Sequence, residues 1–201
     1  MCSSDLVGFV IGAAAGIAAG VLLGRIHFLA DLLQPFILAF YSLPKIALAP
    51  LFILWIGIGM NMKIVLTGTV VFFLVFLNTF TGVRTVAREL EAILHLMGAN
   101  ERHVLTKVVL PSAITWVFAG LRISVPYALI GAIVGELIAA NRGLGFLLAN
   151  ASGQFDTAGV FAALLVIMAL AFILNALVRL AEIRLMPWKT AESRSEREIT
   201  I

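Results

Sequence analysis

The chain is poor in charge and nearly devoid of cysteine. Of its 201 residues only 12% are Asp, Glu, Lys or Arg, about half the roughly 25% of a soluble domain. A surface facing water on every side needs more, so a free-standing soluble domain is excluded. The single cysteine, Cys2, rules out an intramolecular disulfide and a cysteine-ligated zinc or iron–sulfur centre. His27, His95 and His103 have no carboxylate or cysteine at metal-ligand spacing and read as surface or interface residues. No Gly-x-Ser-x-Gly elbow occurs and no two acids pair within an apolar run, which argues against an intramembrane hydrolase. A Gly-x-x-x-x-Gly-Lys-Ser/Thr phosphate loop is also missing. The net charge is only +3 and basic residues sit at the ends of apolar runs, so no nucleic-acid partner is indicated.

What the chain has in excess is hydrocarbon, with 62% hydrophobic residues and a mean hydropathy of +1.09. Its solvent is the lipid bilayer. A span takes about 20 mainly apolar residues, and the sequence reads as one all-α, polytopic membrane domain with spans at 6–24, 36–59, 64–82, 113–140 and 157–180. In the first span Gly8, Gly12, Gly16, Gly20 and Gly24 recur at every fourth position, a smooth ridge on which another helix can pack backbone to backbone. The second span cannot be one straight helix. Pro44 removes an amide donor and disfavours helix at the residue before it, so a break is expected near 42–45, with helix resuming after Pro50. Broken backbone at membrane depth is tolerated only inside protein or beside a water-filled cavity. Residues 141–156 read as a glycine-rich loop.

Basic residues set the orientation. Arg25, Arg84, Arg88, Arg102, Lys107, Arg184, Lys189, Arg194 and Arg197 fall on one side of this layout, and Lys63 and Arg142 on the other, so the first group is cytoplasmic. The loop 84–111 and the tail 182–201 are then inside the cell and the N-terminus outside. Met1 to Asp5 carry no basic n-region, and the apolar stretch behind them is too long for a signal-peptide core. An exported start without a signal leads to the expectation of one further helix upstream.

The stretch 89–111 is too long for a simple connector and too apolar for a disordered one. It reads as two short helices: one ending at Gly98, the other capped by Asn100 and stopped by Pro111. Ile93, Leu94, Leu96 and Met97 would then present an apolar face to a partner.

Gly98, nine residues and then Val108-Val109-Leu110-Pro111 resemble the second half of the EAA loop of bacterial ABC-importer permeases. Leu43-Pro44-Lys45-Ile46-Ala47-Leu48-Ala49-Pro50-Leu51 and Leu54-Trp55-Ile56-Gly57-Ile58-Gly59 resemble the nitrate, sulfonate and taurine branch. So do Asn78 to Arg84, Gly120-Leu121-Arg122, Glu136 and Gly143-Leu144-Gly145. The family's loop glutamate, six residues before the glycine, falls on Ala92, with Glu91 one place earlier. The family has six spans, which agrees with a missing first helix. The resemblance implies a permease of the type I importer kind that binds no cofactor itself. ATP and magnesium would belong to separate cytoplasmic ATPase subunits, an extracytoplasmic binding protein would deliver solute, and a second permease copy would complete the pathway. It implies that Glu91, Ala92, Leu96, Met97, Gly98, Ala99, Leu110 and Pro111 form the ATPase-coupling element. The substrate implied is a small anionic or organic solute such as a sulfonate, taurine or nitrate.

Three ionisable residues inside spans are candidates for the pathway or its gates: Lys45, Arg122 and Glu136. Each also has a plainer reading. Lys45 can belong to the helix break alone, Arg122 can snorkel or pair near the cytoplasmic boundary, and Glu136 can be structural near the outer side, with no second buried acid beside it. Asn175 and Arg179, four apart, share a helix face suited to packing. Two other functions are compatible with a helical membrane domain, a secondary transporter and a non-transporting scaffold. Repeated halves with paired midplane sites would mark the first, and none are visible. The layout makes a direct prediction: reporters fused after Ile201 or inserted near Asn100 read cytoplasmic, and one near Ser152 reads external. Asn100 and Ser152 on the same side would refute it.

Overall fold

The computed structural model describes residues 3–86, 93–139 and 143–186. Among these residues every regular element is helical: α1 (Ser3–Arg25), α2 (His27–Ser42), a 3-10 turn (Lys45–Leu48), α3 (Ala49–Ile56), α4 (Met60–Arg84), α5 (Glu101–Val104), a π-helical turn (Leu105–Val109), α6 (Leu110–Ala139), α7 (Leu144–Gly153) and α8 (Thr157–Leu185). Four stretches, Asp5–Arg25, Met60–Arg84, Arg102–Ile138 and Thr157–Leu185, are long and apolar enough to cross a membrane. The broken pair α2 and α3 occupies the stretch expected from the sequence to form the second span. Arg88, Glu91, Ala92, Arg142, Lys189, Arg194 and Arg197 lie outside the described residues, as does the tail beyond Met186.

In lipid an apolar stripe cannot mark the packed face of a helix, because hydrocarbon is as apolar as the protein interior; small residues and close van der Waals fit do so instead. α1 follows this rule. A Cβ added to Gly8 would stand 2.7 Å from the Ile64 carbonyl oxygen, one on Gly16 2.8 Å from that of Phe72, and one on Gly20 2.7 Å from Thr79 Cβ. Gly12 sits against the Gly68 backbone and Gly24 against Val83. Partners on α4 advance with the glycines, so α1 and α4 run parallel and touch along their whole length. α6 crosses the other flank of α4 antiparallel, with Gly82 against Trp116 and Gly120 against Asn78. α4 is therefore the central helix: half of its most apolar window is buried, against 6% for α8 on the outside of the bundle. α2 returns antiparallel to α4, with Ala30 packed on Phe76 and Phe80.

The breaks have local causes. Leu43, ahead of Pro44, is extended (φ −65°, ψ 132°) and ends α2, and Pro50 occupies the first turn of α3, where its missing amide costs nothing. Gly57 (φ +83°) ends α3, its amide donating to the Ile53 carbonyl at 2.8 Å.

Two sequence expectations are corrected here. Pro111 does not stop the helix that begins at Asn100. Proline cannot donate to the carbonyl four residues back and its ring crowds it, and the chain answers by widening Leu105–Val109 into a π turn, with the Leu110 amide bonded to the Leu105 carbonyl. Helix then continues from Glu101 to Ala139. The glycine-rich segment after α6 is also not simply a loop, since Leu144–Gly153 forms α7, packed on α6 and α8. Leu144 lines a small cavity together with Leu129 and Ile133 of α6 and Ile167 and Leu170 of α8.

Gly12→Val must push α1 off α4, and overpacking of this kind costs about 1–3 kcal/mol. Ala14→Val, on the exposed side of α1, should cost less than about 0.5 kcal/mol. Unfolding titrations of the purified protein in dodecyl sulfate measure both; equal losses would remove the ridge from its structural role.

Candidate functional site

The break between α2 and α3 lies level with the middle of α4 and α6, and a cleft of about 320 Å³ opens there. Tyr41, Leu43, Pro44 and Lys45 line it from the break, Val70 and Leu74 from α4, and Tyr127 from α6. The chain has 14 phenylalanines but only two tyrosines, and both tyrosines line this cleft. Sequence reasoning passed over them. Their rarity in an otherwise phenylalanine-rich set of spans was the available signal.

Lys45 answers a local need first. The last four carbonyls of α2 have no amide ahead of them, and the Lys45 ammonium donates to the Tyr41 carbonyl at 2.6 Å and to that of Leu43 at 3.4 Å. A cation at a helix C-terminus also meets the negative end of its dipole. The same ammonium lies 4.7 Å from the Tyr41 ring centroid and 5.1 Å from that of Phe73, within cation–π range. Two of its three N–H donors are thus committed to carbonyls.

The other two intramembrane candidates are not brought to this cleft. Arg122 on α6 pairs with Glu182 on α8, whose carboxylate side chain is buried. Glu136, near the opposite end of α6, pairs with Lys63 in the first turn of α4 at 3.2 Å and accepts a hydrogen bond from the Gly145 amide at 2.9 Å. Glu136 does have a second buried acid near it: Asp5, in the first turn of α1, lines the same small cavity of about 20 Å³. Asp5 escaped attention because it stands outside the apolar run. Arg84, at the end of α4, pairs with Asp31 of α2 at 2.7 Å, so Arg25, Arg84, Arg102 and Arg184 gather at one end of the bundle and Lys63 at the other. Asn175 donates to the Ala171 carbonyl of its own helix at 3.2 Å.

At the basic end the chain protrudes. Residues 93–96 are helical and Gly98 (φ +82°) ends them: its amide bonds the His95 carbonyl at 3.0 Å and the Ala99 amide bonds that of Leu94 at 2.9 Å. This is the glycine-dependent helix stop in which two closing bonds nest. Asn100 then caps α5, its side chain accepting from the His103 amide at 3.0 Å. Leu94 and Ala99 turn inward onto Val104 and Val109. Ile93, Leu96 and Met97 stay outside, at 52%, 88% and 77% exposure, and Leu110 and Pro111 are also exposed.

A sequence model described as binding-protein-dependent transport system inner membrane component matches residues 12–186. The chain belongs to that family. This permease is 36% identical over 183 residues to the formylaminopyrimidine transport permease protein ThiX of Halalkalibacterium halodurans, covering 89% of this chain and 73% of ThiX. It is 34% identical over 173 residues to the taurine transport system permease protein TauC of Escherichia coli, covering 86% of this chain and 63% of TauC. Among solved structures, the inward-facing MetNI methionine ABC transporter superposes with a TM-score of 0.69 at 22% identity, over 92% of this chain and 90% of that one. The fold is that of an ABC-importer permease, and the protein is a multi-pass component of the inner membrane. Secondary-transporter and scaffold readings fall away with the family.

Lys45→Met removes the cap and should cost this permease about 1 kcal/mol and speed hydrogen exchange at the amides of residues 43–49, whereas Lys45→Arg should keep most of the protection. Unchanged exchange in Lys45→Met would show that the break holds without its cation.

Proposed function

We propose that this permease forms the translocation pathway of an ATP-driven importer and is driven through its protruding segment by separate cytoplasmic ATPase subunits. One observation carries the reading: a single continuous helix joins the protrusion to the cleft. From Arg102 to Ile138 it has 37 residues, about 55 Å at 1.5 Å per residue, with the apolar protrusion at its start and Tyr127 along its length. Closure of two ATPase subunits around ATP would displace the protrusion, and the helix would carry that displacement to the cleft as a rigid element. Leu96, Met97, Gly98, Ala99, Leu110 and Pro111 are the described members of the coupling element, and Glu91 and Ala92 complete it in sequence. Solute would arrive from an extracytoplasmic binding protein, as the family's description implies, and a second copy of the chain would close the open side of the cleft.

The solute we propose is small and carries an anionic group. Lys45 is the cation among the residues lining the cleft, one of its donors remains for a ligand, and two phenolic hydroxyls flank it. TauC, whose name gives taurine, supports this reading; ThiX, named for formylaminopyrimidine, indicates that related permeases serve dissimilar solutes, so selection would fall largely to the binding protein.

A Cβ at Gly98 would meet nothing within 4 Å, so valine there is opposed by its backbone conformation, at about 1–3 kcal/mol, and by its projection into the docking contact. Gly98→Val and Leu96→Asp should each leave the protein in the membrane and abolish copurification of the ATPase, with Met168→Ala on α8 as the silent control. Normal ATPase capture and ATP-driven uptake by both variants would end the assignment of this segment.

A further inference from the structure

One carboxylate ties three helices together at the end of the bundle remote from the protrusion. Glu136 Oε1 accepts from Lys63 of α4 at 3.2 Å, and Oε2 accepts from the Gly145 amide of α7 at 2.9 Å. The side chains of Lys63 and Glu136 are 12% and 7% exposed. Gly145 is the second residue of α7, so the carboxylate also sits at the positive end of that helix dipole. The chain ahead of α7 is shaped around it. Gly143 has φ +124°, a conformation L residues rarely adopt, and a Cβ there would fall on the Glu136 carboxylate. A Cβ on Gly145 would stand 2.6 Å from the Ile133 carbonyl oxygen and 2.7 Å from Glu136 Cβ. At its far end α7 passes into α8 by a tight turn, where Asp156 caps α8 through the Gly159 amide at 3.0 Å and Phe155, at φ +55°, stands 93% exposed.

α4 and α6 are also the two helices that line the cleft opposite the break. We infer that Glu136 is a positioning residue: it locks α7 in register with α4 and α6, so that the outer surface built on α7 moves as one body with the walls of the cleft. On the reading proposed above, α7 then reports the state of the cleft to the binding protein that docks on that side.

Spin labels on Asn61 and Ser152, both exposed, in a Cys2→Ser background, read the registration directly in nanodiscs. The parent should give one narrow distance. Glu136→Ala should broaden it, and Gly143→Ala, which forces the carboxylate out without removing it, should do the same. Glu136→Gln keeps an amide oxygen for the Gly145 donor but replaces the acceptor of Lys63 with an NH2 group, so it should broaden the distance less than Glu136→Ala. In the complex reconstituted with its ATPase and binding protein, stimulation of ATP hydrolysis by the binding protein should fall about fivefold or more in Glu136→Ala and Gly143→Ala and less in Glu136→Gln. A narrow distance in both Glu136→Ala and Gly143→Ala, or full stimulation despite broadening, would overturn the inference. Should Glu136→Ala not fold, Gly143→Ala and Glu136→Gln decide. If the parent captures no ATPase at all, the importer reading fails, while the distance measurement on the isolated chain still judges the registration.

Discussion

A peptide group in hydrocarbon has no water to turn to, and each place where this chain departs from regular helix must supply partners from within the protein. The structure can be followed from that constraint. At the break after Ser42 the freed carbonyls are taken by the Lys45 side chain. At Pro111 the helix is not broken but rewound by one wider turn, which keeps its amides bonded. At Gly98 the chain stops with two nested bonds that satisfy the freed carbonyls of His95 and Leu94. Irregular backbone is thus found where a side chain or a turn can satisfy it.

The same solvent changes what holds helices together. α1 carries no contrast between an apolar and a polar face that could direct it; its five glycines direct it by letting α4 approach where any side chain would collide. α4 in turn receives α6 through Gly82, which admits the Trp116 side chain, and Gly120, which admits Asn78 and Val75, so the central helix is approached closely on two sides. Polar ties are reserved for the ends and edges: Arg84 with Asp31, Arg122 with Glu182, Lys63 with Glu136. Their partners come from different helices, so each pair fixes the spacing of two rods that hydrocarbon contacts alone would leave free to slide.

Much of this was legible in the sequence because the signals were local. Glycines in fourfold register, a proline in mid-span and a Gly-x-Asn stop and cap each act within a turn or two of their own position. What the sequence hid was relational. Arg122 and Glu182 are 60 positions apart, and nothing in either neighbourhood names the other; Lys63 stood out only as a charge on the outer side until the fold set it beside Glu136. Pro111 misled for a different reason, since a proline in one strand of sequence does not reveal whether the chain ends the helix or widens the turn before it. α7 was hidden by its flanking glycines, which read as loop although Gly143 and Gly145 serve to admit a carboxylate. The two tyrosines of the cleft lie 86 positions apart on separate helices, and only their shared rarity linked them.

The wide turn at Leu105–Val109 sets a phase. In an α-helix each residue advances the azimuth by about 100°, and one wide turn resets that count by roughly a residue. The direction in which the protruding segment faces, relative to the direction in which Tyr127 faces the cleft, therefore depends on that turn. Helix propensity along the rest of the rod can drift without altering it, whereas the compass bearing between the two working ends depends on keeping the extra residue where it is.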